Sequence, residues 1–189
     1  KLPGGNTVID FDTPQSVTIF GHDGIKRTDK DFFSAYVLTH ILGGSGFGSR
    51  LMTELREKNG LTYGVSAYLA SWEKADLILG QFASSNNTVM EAIGIVKNEW
   101  ATLADRGVTA DELRDAKTFL TGAYPLRFDG NSRIARILTG MQIQGLPIDY
   151  IHTRNAKVNA VTMEDIKRVA TRILKEKNLY FVIVGRPTP

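Results

Sequence analysis

The chain has 189 residues, 42% hydrophobic and 23% charged, with 18 Gly, 6 Pro, no Cys and a net charge of +3. That is the composition of an ordinary globular domain, long enough to bury roughly 70% of its unfolded surface without a disulfide or metal staple. It excludes a disulfide framework, thiolate metal sites and a cysteine nucleophile, and no apolar run approaches the roughly 20 residues of a membrane-spanning helix.

The sequence opens on Lys1-Leu2-Pro3-Gly4-Gly5 with neither an initiator Met nor an apolar signal segment. This predicts one domain over residues 1–189 belonging to a longer, two-domain chain. Gln15 to Phe20 alternates like a strand, His22-Asp23-Gly24 supplies turn chemistry, and Thr28-Asp29-Lys30-Asp31 resembles a capping box. The helix it would start carries Phe32, Phe33, Tyr36, Val37 and Ile41, and is broken by the glycine run of residues 43–48. A second helix over 49–58 places Leu51, Met52 and Leu55 on one face and stops at Asn59-Gly60.

Two strand-like runs follow, Leu61 to Leu69 and Leu77 to Ala83, joined by the hairpin-length Ser71-Trp72-Glu73-Lys74. Helices are then predicted over 88–105, with Val89, Ile93, Val96, Trp100 and Leu103 on one stripe, and over 110–124, 131–143 and 163–175. Thr109-x-x-Glu112 and Thr162-x-x-Asp165 are start signals for two of them. Leu179 to Val184 is a short apolar run, read as a strand buried on both faces or docked within a sheet. Clustered strands with long helices between them predict an α+β fold, an antiparallel sheet with helices packed mainly on one face.

The glycine run invites a phosphate-loop reading, but a helix precedes it and Gly44-Ser45-Gly46-Phe47-Gly48-Ser49-Arg50 fits neither nucleotide fingerprint. A tight corner between helices accounts for it better. His22, His40 and His152 form no metal pair of the H-x-x-E-H or H-E-x-x-H kind, so no metal site is expected in this chain. They read as surface or satisfied histidines, His22 in a turn, His40 opposite the apolar stripe of its helix and His152 in a polar stretch.

One stretch carries more. The glycine run leads into Ser49-Arg50-Leu51, then Leu55-Arg56-Glu57, then Gly60-Leu61-Thr62-Tyr63. This resembles the front of the C-terminal domain in the pitrilysin/insulinase-type zinc metallopeptidases, relatives of the mitochondrial processing peptidase. Val161 to Ile166 and Val182 to Gly185 extend the likeness over nearly the whole chain. The resemblance implies the fold of that domain, and a homologous N-terminal domain or subunit holding zinc through H-x-x-E-H. It further implies a peptide substrate, a dimer as one form of assembly, and catalytic contributions from Arg56 and Tyr63. A guanidinium and a phenol are donors that can orient a peptide carbonyl or stabilise an oxyanion.

Against this stands a plain alternative. Arg56 ends a charged helix, and Tyr63 shares strand parity with Leu61, Val65 and Leu69, as a core tyrosine would. Tyr68, on the other parity, is the substitute candidate. Lacking the zinc motif, the isolated chain is expected to be inactive, with no cofactor of its own; a non-catalytic assembly or peptide-binding subunit of the same fold is the rival function.

Residues 1–125 hold 12 basic and 15 acidic side chains, whereas residues 126–178 hold 10 and 5. Nine of the ten basic residues of the second segment, Arg133, Arg136, Arg154, Lys157, Lys167, Arg168, Arg172, Lys175 and Lys177, lie on predicted helices and read as a solvated helix face. With little aromatic interleaving no nucleic-acid partner is expected, although an acidic partner or sister domain would suit such a face.

Overall fold

A computed structural model describes residues 3–44, 46 and 48–188. Strand β2 (Gln15–Asp23) alternates as its sequence demands: Ser16, Thr18 and Phe20 are buried, while Val17 and Ile19 stay half exposed on the other face. It runs past Phe20 through His22, so that histidine lies in a strand and not in a turn. Strands β3 (Val65–Ser71) and β4 (Asp76–Ser85) form the expected antiparallel hairpin, and β5 (Tyr180–Gly185) docks inside the sheet. A strand with no sequence signal, β1 (Gly5–Asp10), completes the order β1-β5-β2-β4-β3. All its residues are exposed, so only its pairing with β5 defines it, and that pair is parallel, the one exception to the antiparallel expectation among the described strands.

Helices cover one face of this sheet. Helix α1 (Phe32–Gly43) is apolar almost all round and buries Val37, Leu38 and Leu42 completely. Helix α2 (Val89–Arg106) turns its predicted stripe inward, with Trp100 against Phe20, which stacks on Phe181 at 5.5 Å. Each such side chain contributes about 1.5–3 kcal/mol by leaving water. Helices α3 (Ala110–Gly122), α4 (Asn131–Ile143) and α6 (Met163–Ile173) fall where the pattern puts them, and the boxes at Thr109 and Thr162 form in full.

Other expectations need correction. Thr28 starts no capping box: α1 begins after Asp31 with no side-chain cap, and the acids before it serve otherwise, Asp29 accepting from the Asp31 amide and both Asp29 and Asp31 pairing with arginines of α6. The polar stretch around His152 is a helix, α5 (Tyr150–Asn159). Within it Arg154 is only 4% exposed, so it does not belong to a solvated face.

Candidate functional site

The motif of residues 43–63 divides into parts that anchor and parts that present. Gly43 ends α1 so close to β3 that a Cβ on it would lie 2.6 Å from the Ala67 amide nitrogen, which explains the glycine by close approach. The corner then passes through Gly46, with φ of 107°; Ser45 and Phe47 of the motif lie outside the described residues. Arg50 donates through Nε and Nη2 to both oxygens of Glu112, at 2.6 and 2.9 Å, and through Nη2 to the Gly107 carbonyl at 3.1 Å. This fork is a bidentate charge-assisted clamp between the motif and the α2–α3 corner. Burial works against ionisation of Glu112, but the Arg50 fork and the Thr109 amide outweigh it and hold its carboxyl below the usual range. Glu99, 3.9 Å from Arg50, is pushed the other way by burial.

The next segment, Met52–Lys58, winds as a π-helix, a widened geometry frequent at functional sites. Leu51 and Leu55 are fully buried and fix it, while Arg56 is turned to a partly buried position near its end. Gly60, with φ of 63°, closes the turn as predicted. Strand β3 starts only at Val65, because Thr62 Oγ1 donates to the Gly64 carbonyl and accepts from the Gly64 amide, folding residues 62–64 into a tight turn. Tyr63 sits at the tip of that turn, 86% exposed, so the core-tyrosine alternative fails. Tyr68 is 49% exposed on the outward parity of β3.

A groove of about 640 Å³ follows β3 from Ser66, two residues beyond this turn. Residues of both parities, Ser66 to Trp72, line it together with Thr39, His40 and Gly43 of α1. It therefore runs along the free edge of the sheet, not across a face. An exposed edge offers unpaired backbone donors and acceptors to an extended chain.

Residues 2–120 match the family described as the peptidase M16 inactive domain. The chain belongs to that family. It is 30% identical over 175 residues to the non-peptidase homolog YmxG of Helicobacter pylori, covering 92% of this chain and 40% of that protein. It is 26% identical over 173 residues to the alpha subunit of the bovine (Bos taurus) mitochondrial-processing peptidase, covering 84% of this chain and 32% of that one. The crystal structure of a peptidase M16 inactive domain from Pseudomonas fluorescens superposes with a TM-score of 0.87 at 29% identity, over 99% of this chain and 44% of that one. The chain thus spans between 32% and 44% of these relatives' length.

As an M16 inactive domain the chain has histidines with structural surroundings. His22 Nε2 accepts from the Trp100 indole at 2.8 Å while Nδ1 donates to the Asp23 carbonyl at 2.7 Å, and burial lowers its basicity. His40 stacks on Phe119 at 5.0 Å; burial, and then the Arg154 charge, lower it too. His152 is exposed. Among the described residues no group of three or more acidic or histidine side chains is placed to hold a metal ion. No helix is long and apolar enough to cross a membrane among those residues.

Sequence reasoning singled out Arg56 and Tyr63 but missed what supports them. Arg50 makes its contacts 57 and 62 residues downstream, so no local spacing reveals the clamp. The groove likewise joins α1 to β3 only through the fold.

Proposed function

We propose that this domain is the substrate-facing half of a peptidase-type clamshell. An extended peptide lies along the edge of β3, and Arg56 and Tyr63 donate hydrogen bonds to a backbone carbonyl at the head of that groove. The zinc belongs to a homologous domain, in the same chain or in the second subunit of a dimer; when bound it supplies the Lewis acid for hydrolysis. The observation that carries this reading is Tyr63: an aromatic residue 86% exposed, on a turn locked by Thr62 and Gly64, has no packing role to explain it. The turn fixes the backbone from which the phenol projects, and a donor at a fixed position is what stabilising developing charge requires.

The test is turnover in the full-length protein together with its zinc-binding domain. Tyr63→Phe is expected to lower kcat by about 10²-fold, the scale of one lost oxyanion donor. Arg56→Ala is expected to lower kcat and also raise KM, since it holds the peptide in the ground state as well. The 30% identity to a protein named a non-peptidase homolog favours a second reading, a peptide-binding or assembly subunit of the same fold. It predicts peptide binding without turnover, and wild-type behaviour of both variants in every catalytic assay.

A further inference from the structure

Beside the groove lies a second cavity of about 390 Å³, between α1, α4, α5 and the 3₁₀ turn Pro125–Arg127. Its charge is one-sided. Arg27, Arg127, Arg136 and Arg154 line it, and no carboxylate does. Arg154, 4% exposed, donates to the Leu120 carbonyl at 2.7 Å, the Asn155 side chain at 2.7 Å and the Tyr36 hydroxyl at 3.0 Å. Its guanidinium lies 4.3 Å from the Tyr124 ring centroid. Arg27 donates to the Tyr150 hydroxyl at 2.9 Å and lies 4.9 Å over the Phe32 ring. Among the described residues neither arginine has an acidic partner.

Two donors remain unused. Arg27 Nε and the Tyr124 hydroxyl are buried and have no hydrogen-bond partner among the described residues, and Tyr124 as a whole is only 6% exposed. Burial raises Tyr124 above the ordinary phenol range, so it remains a proton donor at neutral pH. A buried cation without a counter-charge and a buried hydroxyl without a partner both cost stability, and an anion in the cavity would relieve both. Phenols and ring faces meanwhile hold the guanidiniums in place. The wall opposite is apolar, formed by Ile137, Met141 and Leu146.

Position decides what the anion belongs to. Arg27, Phe32, Tyr36 and Gln144 line both this cavity and the groove along β3, so the two are continuous. Gly43, at the C-terminal end of α1, touches Ala67 near the start of β3, whereas Phe32 and Tyr36 lie toward the other end of α1. The cavity therefore sits at the end of the groove remote from Tyr63.

We propose that this cavity anchors a carboxylate of the peptide lying along β3, the chain-terminal carboxylate, with the last side chain against the apolar wall. The proposal rests on the reading of the β3 edge as a peptide site. It is tested by calorimetry on the full-length protein with a peptide that spans groove and cavity, carries no acidic side chain and ends in Leu, as free acid and as amide. The free acid is expected to bind about tenfold tighter or more, one charge-assisted hydrogen bond being worth that much. Tyr124→Phe is expected to shrink this ratio by about tenfold, because it removes the unused donor and nothing else. Arg136→Gln, on the exposed rim, is expected to shrink it without touching the core.

An amide peptide ending in Glu that binds as tightly as the free acid would keep the anchor and assign the carboxylate to a side chain. Equal binding of free acid, amide and Glu-ended amide would overturn the proposal. Should no peptide bind, N-acetyl-leucine against its amide separates the cases: preference for the acid retains the cavity and sinks the groove, and no preference sinks the cavity as well.

Discussion

Arginines flank α1 at two places and are treated in opposite ways. At its N-terminal end, Arg168 and Arg172 of α6 each reach Asp31 at 2.7 Å, and Arg172 reaches Asp29 at 2.7 Å, so positive charge there is matched by carboxylates. Along its side, Arg27 and Arg154 face a cavity with phenols, ring faces and carbonyls but no acid. Arg154, Arg168 and Arg172 all come from the basic segment 126–178. The contrast separates charge used as cement, whose partners are already present, from charge whose remaining valence points at something outside the chain.

That contrast can be broken from the cemented side first. Asp31→Asn should cost about 2–3 kcal/mol in denaturant unfolding, because a buried carboxylate accepting from two guanidiniums is lost. Arg50→Met should cost about 2 kcal/mol by the same measurement, since it releases Glu112 and leaves the buried Glu99 without its cation. Acid sharpens the comparison. Hydrogen bonds from Arg172 hold Asp29 at about 2, below the 3.8 of a free Asp. Its contribution is therefore complete above the unfolded value and is lost as pH falls from there through about 2, and Arg172→Gln should flatten melting curves in that window.

His22 acts at a higher pH with the same sign. Burial lowers its folded pKa beneath the unfolded 6.5, so the unfolded chain binds the proton more readily and stability declines as pH drops below 6.5. His22→Gln, which keeps an acceptor for Trp100, should shrink that decline and leave the share of His40, which burial lowers as well. The smallest effect belongs to the cavity. Tyr124→Phe should not destabilise the fold and should raise unfolding free energy by about 1 kcal/mol at most, since it deletes a buried hydroxyl with no partner.

What the sequence disclosed was local. The boxes at Thr109 and Thr162, the alternation of β2 and the stripe of α2 are short-range patterns, and they fold as written. Strand β1 escaped because an exposed edge strand needs no alternation. The start of α1 was misread because Asp29 and Asp31 pair with arginines of α6, which no local pattern shows. Tyr63 was singled out through its motif, yet its exposure was hidden, because the three-residue Thr62–Gly64 turn delays the strand. The arginine cavity had no local signature at all: Arg27, Tyr36, Tyr124 and Arg154 come from four separate segments.

Both proposals meet at the edge of β3. Amide hydrogen exchange across residues 65–72, with and without the spanning peptide, tests it most directly. Those alternate amides of β3 that do not bond to β4 should slow when peptide binds, as they would on gaining a strand partner. Unchanged exchange in β3 while the peptide is demonstrably bound would contradict the account.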